Sequence, residues 1–296
     1  MFITQYRKWF IGFSVLLVIA GIAIVGTKGL DYGIEFTGGS VLEVSYDTRP
    51  DIDTVRESLN QNNFEDILLQ PFGDTGYVLR TEPITEEKRR QLVSAMRVGE
   101  SEMSIERYNA IGPSVGRQLR VKSLYALIAV SLGIILFVAY AFRKVTYPVS
   151  SWKYGVVAVI ALLHDIIIPI GILTLLGIEV DTLYVVGLLS ILGLSVNDTI
   201  VVFDRIREAL AENQEKNKKE DFIMTVGGAI KDTITRSIFT SLTLIVVLLV
   251  LYLKGPAATQ TLSLVLLLGT LVGTYSSIFL ASPLLTFLVS KKEEKK

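Results

Sequence analysis

The chain has 296 residues, half of them hydrophobic, and its 29 basic and 29 acidic side chains leave a formal net charge of zero. The apolar residues come in blocks rather than at the spacing of a water-soluble core, which places the chain in the membrane class. Cysteine is absent and histidine occurs once, so disulfides, thiolate metal sites and thiol nucleophiles are excluded.

Six apolar blocks follow one another: Phe10–Val25, Leu124–Phe142, Tyr154–Leu176, Leu183–Phe203, Ser237–Leu253 and Leu262–Val289. A bilayer is crossed by about 20 apolar residues in a helix, and the last block is long enough to tilt or run past the interface. Arg7-Lys8 ahead of the first block looks like the start of a signal peptide. Its exit, Gly26-Thr27-Lys28-Gly29, lacks an A-x-A-like site, so a retained span is expected. Basic residues then set the orientation. Arg7 and Lys8 precede the first span, and Arg143, Lys144 and Lys153 flank the second-to-third connection. Arg205, Arg207, Lys216, Lys218, Lys219, Lys231 and Arg236 lie between the fourth and fifth spans, and Lys291, Lys292, Lys295 and Lys296 end the chain. The alternate loops hold Glu179, Asp181 and Lys254. Both termini are therefore expected in the cytoplasm, with residues 28–120 outside. The expected domains are residues 1–27, 28–120, 121–290 with a cytoplasmic loop at 204–236, and a charged tail at 291–296.

The outer stretch has a readable pattern. Ser40 to Tyr46 alternates as a strand, and Asp51 to Asn62 carries Ile52, Val55 and Leu59 at helical spacing. Asp66 to Phe72, the turn Gly73-Asp74-Thr75-Gly76 and Tyr77 to Thr81 read as a hairpin. Thr85 opens a second helix whose apolar face is Leu92, Val93 and Met96, and Glu102 to Tyr108 gives a last strand. The order β-α-β-β-α-β is that of a ferredoxin-like α+β domain. In the cytoplasmic stretch, Phe222, Ile223, Val226 and Ile230 among charges predict short helices lying in the interface.

Polar residues inside the apolar blocks are the functional candidates. Asn197 and Asp198 interrupt the fourth span, where a carboxylate costs roughly 3 kcal/mol on insertion scales. Asp198 lies roughly 10 Å from the Arg205 end at helical rise, too deep for a short side chain to reach water unaided. Either it takes up and releases protons or it bridges helices by hydrogen bonds. Arg236 opens the fifth span and is otherwise an interfacial anchor. Thr233, Arg236, Thr240 and Thr243 recur on one helix face, which suggests a hydrated path leading inward. If Arg236 and Asp198 meet, approach of the guanidinium would expel a proton and its withdrawal would favour uptake. His164-Asp165 in the third span is a secondary candidate, equally readable as an interhelical contact. One histidine without H-E-x-x-H does not make a zinc site.

Gly269, Gly273, Ser277 and Ala281 stand four apart in the sixth span, a small-xxx-small face for close helix packing. Asp31-Tyr32-Gly33-Ile34-Glu35-Phe36-Thr37-Gly38-Gly39 leaves the first span with glycines that suggest close backbone approach or positive φ. Ile111-Gly112-Pro113-Ser114-Val115-Gly116 separates strand from helix on the way back. No G-x-x-x-x-G-K-[ST] occurs, so nucleotide hydrolysis is not expected.

Taken together these stretches resemble the SecF family of protein-export membrane proteins. The resemblance rests on Asp31–Gly39, with Asp31, Gly33, Phe36, Gly38 and Gly39 as its fixed points, and on Ile111–Gly116. It rests also on Ala161-Leu162-Leu163-His164-Asp165, on Ser195–Glu208, and on Thr235-Arg236-Ser237 with Thr240-Ser241-Leu242-Thr243. Ser237 stands where relatives often carry threonine, and it keeps the hydroxyl. The resemblance implies a six-span half of a resistance-nodulation-division transporter in the bacterial cytoplasmic membrane, paired with SecD. It implies that the pair uses the proton gradient to pull preprotein across after the SecYEG channel and the SecA ATPase have begun, in the company of YajC and YidC. Asp198 and Arg236 match the family's membrane aspartate and arginine, both implicated in proton conduction. Protons would be the coupling ion and no cofactor is implied.

Other classes remain open on the residues alone. A structural assembly factor would tolerate loss of Asp198 and Arg236 but fail on bulk at Gly269 or Gly273. A small-molecule exporter of the same superfamily would carry much larger outer loops. An intramembrane enzyme would need a nucleophile–base or metal constellation that this pattern lacks.

Overall fold

The computed structural model describes residues 2–65, 67–99, 101–141, 149–218 and 220–288. Asp66, Arg143, Lys144, Lys219 and the tail at 291–296, all named in the sequence analysis, lie outside the described residues. The elements in chain order are α1 (Phe2–Gln5), α2 (Arg7–Lys28), α3 (Ile34–Thr37), β1 (Gly39–Tyr46), α4 (Ile52–Gln61), β2 (Leu68–Phe72), β3 (Gly76–Thr81), α5 (Glu86–Met96) and β4 (Met103–Ile111). Then come α6 (Pro113–Ala141), α7 (Ser151–Leu175), α8 (Thr182–Glu215), α9 (Phe222–Lys254), α10 (Ala257–Ser276), a π-helical turn (Ser277–Ala281) and α11 (Ser282–Leu288). They divide into two compact units: Tyr32–Leu124, and the remainder.

The Tyr32–Leu124 unit is a four-stranded antiparallel sheet in the order β2-β3-β1-β4. That is the order a split βαβ pair requires, and the expected ferredoxin-like arrangement is what the chain forms. Alternation on β1 turns Leu42, Val44 and Tyr46 to one side, where they pack with Val55 and Leu59 of α4, Leu79 of β3, and Leu92 and Met96 of α5. Side chains fix both helix starts: Asp51 accepts from the Asp53 amide at 2.8 Å, and Thr85 from the Lys88 amide at 3.4 Å. Gly38 and Gly39 hold φ of +81° and +143°. A Cβ on Gly38 would lie 2.7 Å from the Cα of Pro113, and one on Gly116 would lie 2.8 Å from the Gly38 nitrogen. The two glycine motifs therefore press backbone against backbone. Gly33, by contrast, has extended backbone, caps α3 and needs no special freedom.

The other unit holds helices long and apolar enough to cross a membrane, six among the described residues when α6, which begins in the sheet unit, is counted. In the most apolar stretch of each span, about half of the residues of α7, of α8 and of α10–α11 are buried, against few of those of α2, α6 and α9. Backbone contact draws the central helices together. A Cβ on Gly171 of α7 would stand 2.6 Å from the Cα of Gly21 in α2, a crossing that hydropathy gave no reason to expect. On α10, a Cβ at Gly269 would collide with Ile191 of α8, and one at Gly273 would come within 3.3 Å of the Ser195 Cβ. Ser277 and Ala281, the next two members of that row, are fully buried.

Two features differ from expectation. The stretch 204–236 does not form short helices lying flat in the interface. Instead α8 runs on to Glu215 and α9 starts at Phe222. Phe222, Val226, Ala229 and Ile230 bury against Phe203 and Ile206, and Arg205 bonds Asp232 at 2.8 Å. An amphipathic stripe buries equally well against a lipid surface or a second helix, and here the second helix is its own neighbour. The sixth span is also irregular, widening into a π turn before Pro283. A proline ring collides with the carbonyl four residues earlier in a regular helix, which here is that of Phe279, and the wider turn moves that carbonyl aside. Ser282 Oγ also donates to the Ser277 carbonyl at 2.9 Å.

Overpacking at a backbone crossing costs about 1–3 kcal/mol. Gly171→Leu is accordingly expected to lower the melting temperature of the purified protein in detergent, while Gly133→Leu, at an exposed glycine of α6 with open space around its Cβ position, leaves it nearly unchanged.

Candidate functional site

Asp198 sits on α8, a helix started by the Asp181 side chain accepting the Tyr184 amide at 2.6 Å. The carboxylate is half-buried, and its Oδ2 accepts a hydrogen bond from Ser241 Oγ of α9 at 3.3 Å. It borders a cavity of about 110 Å³ between α8, α9 and α10, whose polar lining includes Ser195, Asn197, Thr240, Ser241 and Thr270. That is room for several water molecules with polar partners on more than one side. Thr270 Oγ1 is buried with no hydrogen-bond partner, one more polar atom that a solvated cavity would satisfy.

Arg236 lies within electrostatic range of Asp198, but the two form no ion pair at 4.0 Å or less. Its side chain is exposed. Of the predicted stripe, Thr240 borders the cavity, Thr233 is buried, and Arg236 and Thr243 are exposed. Thr233 donates to Ala229 O at 2.9 Å, Thr240 to Arg236 O at 2.9 Å and Thr243 to Thr240 O at 2.7 Å. Each hydroxyl is thus tied to its own helix. The row of α9 that turns inward is Ser237, Ser241 and Leu248, one residue further round. Ser241, the partner of Asp198, stood in the sequence beside Thr240 but was not singled out. Both rows have helical spacing, so periodicity alone cannot say which one faces the bundle. Asn197 is exposed at the cavity rim.

The better-enclosed acid is Asp165, at 0% exposure on α7. Its Oδ1 meets His164 Nδ1 at 2.8 Å, and its Oδ2 accepts from Ser276 Oγ of α10 at 2.7 Å and from Ser195 Oγ of α8. Three helices converge on one carboxylate. Ser276 stands next to Ser277 of the small-residue row, and nothing in its local sequence marks it as a polar partner. Among the described residues no group of three or more histidine, aspartate or glutamate side chains could hold a metal ion.

Comparison with known proteins supplies the frame for these positions. The family model described as "Protein export membrane protein SecD/SecF, C-terminal" matches residues 91–291, and the "SecD/SecF GG Motif" model matches residues 23–48. The protein translocase subunit SecF of Desulfurispirillum indicum is 35% identical over 96% of this chain and 90% of its own length. That of Escherichia coli O157:H7 is 37% identical over 98% of this chain and 88% of its own. The crystal structure of SecDF, a translocon-associated membrane protein from Thermus thermophilus, superposes with a TM-score of 0.82 at 28% identity over 96% of this chain. This chain spans 38% of that longer one.

The two membrane acids are packed differently, and removing each should show it. Asp165→Leu strips the shared acceptor from Ser195, Ser276 and His164. At about 0.6–1.7 kcal/mol per interhelical hydrogen bond in a membrane protein, it is expected to lower the melting temperature in detergent clearly. Asp198→Leu loses one long bond beside a cavity and is expected to cost no more than about 1 kcal/mol by the same scale.

Proposed function

Because the chain belongs to the SecD/SecF protein-export membrane family, we propose that it is a SecF-type translocase subunit that pairs with SecD. On this reading the pair uses the proton motive force to drive or complete preprotein translocation, relaying protons through Asp198 and Arg236. The family is one of translocase subunits rather than enzymes, and no cofactor takes part in the proposal beyond the proton. The observation that carries the reading is the polar cavity beside Asp198, set within the membrane-spanning part of α8. An acid there has hydroxyl neighbours to exchange protons with and a cation within electrostatic range. One charge crossing 100 mV carries about 2.3 kcal/mol, enough to bias a two-state element though not to impose it completely.

The exposed face of α9 supports a partner. Arg236 and Thr243 are exposed on α9, and Thr240 is exposed at the border of the cavity. An arginine facing lipid at depth costs about 3 kcal/mol or more, so a second set of spans covering that face is the economical arrangement. SecD would supply it and place Arg236 between the two halves. The distribution of basic residues then puts both termini in the cytoplasm of a bacterium and the ferredoxin-like domain on the outer side, where emerging preprotein passes. SecYEG and SecA would begin the export that this pair finishes, with YajC and YidC as companions.

Asp198→Asn tests the proposal in vesicles containing the translocase, its SecD partner and an imposed proton gradient. The variant is expected to insert and to co-purify with SecD, to leave ATP-driven export intact, and to lose the gradient-driven increment. Wild-type gradient-driven export by that variant would favour a passive assembly role instead.

A further inference from the structure

The His164–Asp165 pair has features that interhelical packing does not require. Asp165 is wholly buried, and no lysine or arginine among the described residues forms an ion pair with it. The groups around it come from several elements. On α7 there is His164; on α8, Ser195 and, within charge–charge range, Asp198. On α10 there are Ser276 and Tyr275, whose ring stacks on His164 at 6.1 Å. Ser14 and the Phe10 carbonyl of α2 lie behind Tyr275, bonded to its hydroxyl at 3.3 Å. A lone buried carboxylate is costly unless neutralised or paired. Here one proton shared between Asp165 and His164 leaves the pair without net charge, whichever of the two carries it.

Ser195 joins this pair to the cavity. Its hydroxyl donates to Asp165 Oδ2, and the same residue lines the cavity beside Asp198, one helical turn further along α8. His164 Nε2 is buried with no hydrogen-bond partner, so the ring can gain or lose a proton there without breaking an existing bond. Ser276 Oγ has two acceptors within reach, Asp165 Oδ2 at 2.7 Å and Gly273 O at 3.1 Å, for a single hydrogen. It can release the carboxylate when Oδ2 itself becomes protonated.

We propose that His164 and Asp165 form a second proton-holding station, connected to the Asp198 cavity through the Ser195 hydroxyl. The proposal rests on the proton role given above to Asp198. In the transfer, a proton arriving from the cavity forms an O–H bond on Ser195 Oγ while the existing Ser195 O–H bond breaks towards Asp165 Oδ2. The serine leaves the step as a hydroxyl and Asp165 gains the proton. With Nδ1–H donating to Oδ1 across the 2.8 Å contact, His164 holds the ionised carboxylate before loading and stays its neighbour once Oδ2 carries the proton.

Infrared difference spectra of the complex with SecD in nanodiscs, recorded across a pH step, separate this proposal from the reading it rests on. Two titrating carboxyl bands from this chain are expected, one abolished by Asp198→Asn and the other by Asp165→Asn. Ser195→Ala should keep both and slow loading of the Asp165 band at least tenfold, and Ser195→Thr should restore it. If Asp165→Asn removes no band while Asp198→Asn does, the second station is overturned and the Asp198 reading stands. If neither removes a band, both fall. Since His164 is the chain's one histidine, histidine-labelled, tag-free chain reconstituted with unlabelled SecD gives a measurement that needs no variant. An imidazole nitrogen resonance that shifts with the Asp165 band supports the proposal. A resonance constant across the pH range in which Asp198 titrates overturns it.

Discussion

A carboxylate sealed among helices sets the terms for the membrane unit. Asp165 has no exposed surface, yet one of its oxygens receives hydroxyls from two other helices and the other faces an imidazole. Such convergence demands that α7, α8 and α10 approach closely at one level. The glycines make that approach possible: Gly269 and Gly273 remove side chains where α10 meets α8, which brings Ser276 and Ser195 to the same oxygen. The polar cluster and the apolar packing are thus one solution, since larger residues in the glycine row would hold the serines out of reach. In lipid, where apolar side chains gain little by leaving their surroundings, packing and hydrogen bonds of this kind carry most of the association.

Around this centre the chain is lopsided. In their most apolar stretches, the helices that hold Asp165 and Asp198 have about half of their residues buried, against few of those of α2, α6 and α9. On α9 the exposed residues include Arg236, Thr240 and Thr243. Asp165 is enclosed by the chain's own helices, Asp198 is half-buried beside them, and Arg236 is exposed. On the reading proposed above, the spacing between Asp198 and Arg236 belongs to the pair of subunits. Arg205 and Asp232, bonded at 2.8 Å, and Ser241 and Asp198 further along the two helices, hold α8 and α9 in register. They fix where along the bundle Arg236 stands.

The π turn adds a local irregularity next to the cluster. Ser276 ends the regular part of α10, and the wide turn follows at once. Turns of this type interrupt α-helices frequently at functional sites. Pro283 follows two residues beyond the end of this one, and Ser276, on its other side, touches the buried acid.

Hydropathy and turn chemistry alone determined the spans, the succession of strands and helices along the sheet domain, and the starts of its helices. Those follow from local rules: block length against bilayer thickness, alternation on β1, and side chains such as Asp51 and Thr85 placed to bond the next free amides. Asp198, Arg236 and Asp165 could be named as candidates for the same reason, because a polar residue in an apolar block stands out without any neighbour. Which of them is enclosed could not be read that way. The choice of Ser241 over Thr240 as the partner of Asp198 is a rotation of one residue about α9, and both rows have equal periodicity. Phe222, Val226 and Ile230 carry the pattern of a helix lying on lipid, and only the presence of Phe203 and Ile206 opposite them decides otherwise. Ser195 and Ser276, far apart in the chain, share an oxygen only after the helices pack. Local sequence specifies what each element can bury, whereas the tertiary structure decides what it is buried against.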